Sequence, residues 1–119
     1  MDCAEFILAT TCRLMGVSPD AVRANGRFPR VVATRWIAAA LIPRHANMTY
    51  PQIAVAMWRG YGRTDTPSHS SVIDMCRKFR SRMNASGSLR VGNYEVHGCD
   101  EVAKAVTWEW DQVNGGDAP

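Results

Sequence analysis

No stretch of this sequence approaches the roughly 18 consecutive apolar residues that a membrane-spanning helix needs, so no membrane partner is expected. The first residues, with acidic Asp2 and Glu5 ahead of Phe6-Ile7-Leu8, lack the basic start of a secretory signal, and a cytoplasmic address follows as the expectation. Paired cysteines are missing too. Cys3, Cys12, Cys76 and Cys99 form no CxxC, and their spacing from His45, His69 and His97 fits no zinc pattern, so neither a metal nor another cofactor is expected. In a reducing compartment such thiols behave as small apolar groups. No two carboxylates, no Ser/His/Asp set and no Cys/His pair fall at catalytic spacing, and the chain is read as a protein without enzymatic activity. With 119 residues, 46% of them hydrophobic, one modest core is within reach, whereas a complete ATPase or polymerase is not. Four tryptophans and a charged fraction of 21% argue against disorder.

Acidic residues are scarce where basic ones concentrate. The net charge of +3 hides this segregation. Between residues 30 and 83 lie Arg30, Arg35, Arg44, Arg59, Arg63, Arg77, Lys78, Arg80 and Arg82, against only Asp65 and Asp74. The segment from residue 84 onward is acidic instead. A basic middle between a neutral and an acidic flank is the footprint of polyanion binding, because Lys and Arg gain affinity by displacing phosphate counterions. Arginine dominates, and its planar fork suits phosphates and guanine edges.

Helical spacing of Cys3, Phe6, Ile7, Thr10 and Leu14 predicts a first helix over residues 2–15, stopped by Gly16. Ser18-Pro19-Asp20 combines a capping hydroxyl, a proline at the first helical position and an acid in the first turn, which opens a short second helix closed by Asn25-Gly26. Nearly continuous apolar residues from Val31 to Ile42 predict a buried central helix that Pro43 should end or kink. Thr49 and Gln52 stand at capping-box spacing and open a helix carrying Ile53, Ala56 and Met57 on one side. Arg59 to Pro67 reads as a loop. Ser68 then starts a helix with Val72, Cys76, Phe79 and Met83 on one face and His69, Ser70, Asp74, Arg77, Lys78 and Arg80 on the other. Leu89 to Val96, turning at Gly92-Asn93, reads as a short hairpin, and a last helix runs from Asp100 to near Val113 with Trp108 and Trp110. Residues 115–119 are expected to be disordered.

The two helices around the loop form a helix-turn-helix candidate. The first turn of a recognition helix must enter a groove about 12 Å wide, and Ser68, His69, Ser70 and Ser71 are small hydrogen-bonding groups suited to base edges there. From here the order of residues resembles a known family. Pro29-Arg30-Val31-Val32-Ala33-Thr34-Arg35-Trp36, then Thr49-Tyr50-Pro51-Gln52-Ile53-Ala54, then His69-Ser70-Ser71-Val72 before Cys76-Arg77-Lys78-Phe79 are similar to the C-terminal DNA-binding domain of the bacterial replication initiator DnaA.

That resemblance covers roughly residues 6–83. It implies a mainly α, DnaA-C-terminal-like or Trp-repressor-like helix-turn-helix bundle over residues 1–83, with residues 84–114 as a hairpin-plus-helix extension on or beside it. It implies that Arg27 enters a minor groove, that Arg35 holds the DNA backbone, and that His69, Ser70 and Ser71 face the major groove. The set expected to touch DNA is Arg27, Arg30, Arg35, Thr49, Gln52, Arg63, Ser68, His69, Ser70, Ser71, Arg77 and Lys78. The chain departs from the family at Ser68, where the initiator has Asp, at Pro43, where it commonly has lysine, and in a longer loop between Met57 and Ser68. It has no GxxxxGK[ST] loop, so the initiator's nucleotide-driven assembly is not expected on it.

The implied function is that of a freestanding reader of double-stranded DNA, nucleoid-associated and acting in replication control or transcription regulation. Two alternatives stand beside it. One is a winged-helix regulator with Leu89 to Val96 as the wing. The other is an adaptor that meets a protein partner through the acidic, Trp-rich residues 88–113.

Overall fold

The computed structural model describes residues 2–24, 27–58 and 69–114. Six helices and one hairpin follow in the order α1 (Cys3–Met15), α2 (Pro19–Arg23), α3 (Pro29–His45), α4 (Tyr50–Trp58), α5 (His69–Arg82), β1 (Leu89–Val91), β2 (Tyr94–Val96) and α6 (Cys99–Asn114). The protein is therefore mainly helical, with a hairpin and a final helix. The expected Asn25-Gly26 stop, the loop from Arg59 to Pro67 and the tail at 115–119 lie outside the described residues.

Helix ends follow their local chemistry. Asp2 caps α1 by accepting from the Glu5 amide at 2.8 Å, and Ser18 caps α2 by accepting from the Ala21 amide at 3.1 Å. At the other end of α1, Gly16 adopts φ +69°. That left-handed turn lets the Gly16 amide reach Arg13 O (3.2 Å) and the Val17 amide reach Cys12 O (2.9 Å), satisfying two carbonyls the helix would otherwise orphan.

Pro43 does not end the central helix. α3 continues to His45, a correction with a local cause. Proline lacks the N–H that would bond the carbonyl four residues back, which is Ala39 O. The Cys76 thiol on α5 donates to that same carbonyl at 3.1 Å. A neighbouring helix thus fills the gap the proline leaves.

α3 is the hub, touching every other element. From Trp36 to Ile42 it is buried without a break, and Ala38-Ala39-Ala40 keep its surface low enough for helices to approach on several sides. Around it, Ile7, Leu8 and Met15 of α1, Ile53 and Met57 of α4, and Val72 and Cys76 of α5 form the core, which Leu89, Val96, Cys99, Ala103 and Val106 join from the C-terminal part. In the hairpin, Leu89 pairs with Val96, Arg90 with Glu95 and Val91 with Tyr94; the first pair faces inward. α6 lies along α1, where Trp110 meets Phe6 at 5.4 Å between ring centroids and Glu109 accepts from Arg13 at 2.6 Å.

Candidate nucleic-acid interface

The capping box at the start of α4 is formed in both directions. The Thr49 amide donates to Gln52 Oε1 at 2.9 Å and the Gln52 amide to Thr49 Oγ1 at 3.3 Å. Both residues stay at the surface, but their polar atoms serve the helix end. Behind them Ile53, Ala54 and Met57 are buried, and α4 packs on α5.

α5 divides as its periodicity predicts. Val72, Cys76 and Phe79 are buried and Met83 packs partly against the core, while Ser70, Arg77, Arg80, Ser81 and Arg82 are exposed. Ser71 is half-buried. His69 opens the helix, whereas Ser68 and Arg63 fall outside the described residues. The helix carries four cations against the single acid Asp74, which holds Lys78 Nζ at 3.0 Å. Lys78 also lies 5.7 Å from the centroid of the Trp36 ring. It is therefore turned toward α3, more than the outward position expected for it.

Among the described residues, three arginines donate to backbone carbonyls at the ends of other helices. Arg35 was expected to hold the DNA backbone. Instead its Nε donates to Val22 O at 2.7 Å and its Nη2 to Ala21 O at 3.2 Å and Ala24 O at 2.5 Å. Its guanidinium thus satisfies the C-terminal carbonyls of α2 and meets the negative end of that helix dipole. Arg30 does likewise for α1, donating to Met15 O at 2.5 Å, and Arg23 for α4, donating to Met57 O at 3.1 Å. No sequence signal separates these from surface arginines, because their partners lie on other helices.

Arg27 is exposed in the connector before α3, next to Phe28, which is 76% exposed. Sequence reasoning passed over Phe28, and over Arg82 as a site residue; the latter was legible from the same helical spacing that placed Arg77. The basic segment is thus sorted by the fold. Arg30 and Arg35 brace helix ends, whereas Arg77, Arg80 and Arg82 of α5 are exposed. No protein-family model and no curated protein matches this chain.

Proposed function

We propose that this protein binds double-stranded DNA in a sequence-dependent way, as a freestanding reader of the kind found in the replication initiator's DNA-binding domain, with a role in replication control or transcription. What carries the reading is the outward face of α5, where Ser70, Arg77, Ser81 and Arg82 are exposed while the opposite face is anchored on α3 and α4. A rigid helix with small polar residues in its first turn and cations further along can set base contacts at its N-terminal end and phosphate contacts behind them. Arg27 with the open Phe28 ring fits a minor-groove contact, since such contacts pair a cation with an apolar wedge. Arg35 enters this reading as a positioning residue and not as a phosphate ligand.

The wing alternative has less support, because the outward pair of the hairpin, Arg90 opposite Glu95, is charge-neutral. The adaptor alternative loses Trp110, which is occupied by Phe6. A selection from random duplexes, followed by salt-titrated binding, tests the proposal. An enriched motif is expected, with affinity falling steeply with salt. Arg77→Ala should weaken binding to all duplexes and reduce the salt slope by about one unit. His69→Ala should cost about 1–3 kcal/mol on the enriched motif and little on random DNA. Absence of duplex binding at low salt would end this reading.

A further inference from the structure

A groove of about 620 Å³ opens between α6 on one side and α3 and α5 on the other. This volume lies in the range of roughly 300–1,000 Å³ typical of small-molecule sites. Its apolar surface comes from Leu41, Phe79, Met83 and Ala103, and Trp108 forms one lip. Trp108 is 62% exposed, on the side of α6 opposite the buried Cys99, Ala103 and Val106. Core packing gives no reason for an indole there.

We infer that this groove binds a small amphipathic monoanion, an organic carboxylate or sulfonate whose acid group meets Arg44 and Arg80 and whose apolar body lies between Phe79, Met83 and Trp108. The charges of the groove are arranged for it. Lys104 is already satisfied by Asp100 at 3.0 Å, whereas among the described residues no carboxylate comes within ion-pair distance of Arg44 or Arg80. Arg44 is held 5.7 Å over the Phe79 ring, so little order remains to be imposed on it by a ligand. Arg44 on α3 and Arg80 on α5 both line the groove on the side that faces α6. Asp100 and Asp111 stand on the α6 wall. With Asp100 neutralised by Lys104, Asp111 repels a second acid group and thereby favours a ligand with a single charge.

The site is independent of the DNA reading and is tested without DNA. Calorimetry on the full chain compares naphthalene sulfonate with naphthylmethylammonium, which share an apolar body and differ in charge. The sulfonate should bind at one site, at least about tenfold more tightly than the cation. Arg44→Gln/Arg80→Gln should weaken the sulfonate about tenfold or more, Trp108→Ala several-fold, and Lys104→Gln hardly at all. Should the double variant fail to fold, the wild-type protein still decides, because the indole N–H resonance of Trp108 must shift at sulfonate concentrations at which the cation leaves it in place. Equal binding of both ions, full sulfonate affinity in a folded double variant, or an unmoved Trp108 resonance would each overturn the proposal. None of these outcomes bears on duplex binding, which is measured separately.

Discussion

Single residues in this protein compensate for one another across helices. The thiol of Cys76 and the missing amide of Pro43 share one acceptor, Ala39 O. A buried carbonyl left without a partner costs about 1–3 kcal/mol. Cys76→Ala should therefore destabilise the fold by about that amount in urea unfolding. In a Pro43→Ala background the restored amide bonds Ala39 O, and the same substitution should cost about 1 kcal/mol less. Strictly additive costs in this double-mutant cycle would show that the two positions do not serve one carbonyl. Arg35 acts on the same principle with a charge. Three backbone carbonyls depend on it, so Arg35→Met should cost about 2–3 kcal/mol. Arg35→Lys should recover only part, because an ammonium lacks the fork that spans several acceptors. A variant of either kind that bound duplex DNA with a clearly lowered salt slope at unchanged stability would return Arg35 to the phosphate backbone.

At the scale of elements, α5 carries a conflict between stability and binding. Asp74 sits on its outward side and pairs with Lys78 four residues on, a surface pair worth only about 0.3–0.5 kcal/mol. Facing a polyanion, the same carboxylate is unfavourable. Asp74→Asn should lower stability slightly while tightening duplex binding about threefold at low salt, measured by fluorescence anisotropy. Weaker binding would mean that Asp74 accepts a hydrogen bond from a base and is part of the readout. Elements were largely legible in the sequence because their signals are local. Ser18, Gly16 and the Thr49–Gln52 box each act within a few residues, and each sits at the helix end it marks. The division of α5 into two faces was readable from spacing alone. That α3 would run past Pro43 was not legible, because the compensation comes from a residue on another helix, with Cys76 and Ala39 37 positions apart. The inward arginines and the groove escaped for the same reason. Charge tells that an arginine wants an acceptor, and only the packing of α2 against α3 decides that the acceptor is a helix end.

For the molecule as a whole, α3 gathers α1, α4, α5, the hairpin and α6 around one core, and the thiols report on that core's integrity. Burial raises all four above their usual value, with Cys12, only 1% exposed, pushed up to about 11 against the opposing pull of Arg23. The consequence for stability has a definite sign. In the unfolded chain Cys12 ionises near pH 9, but in the folded protein it stays protonated until about pH 11. Between those values the unfolded state binds fewer protons than the native state, so stability falls as pH rises. The contribution is fully present below about pH 9 and is lost on the way to 11. The measurement is the difference between the wild-type protein and Cys12→Ala, which isolates the thiol. The variant is less stable at neutral pH because a buried side chain is cut back. That gap should narrow steadily from pH 9 to 11 in urea unfolding, because only the wild-type chain pays for keeping a thiol protonated. A gap that stayed constant across the window would show that the Cys12 thiol ionises in the folded protein as readily as in the unfolded one, and that the core around α1 admits water.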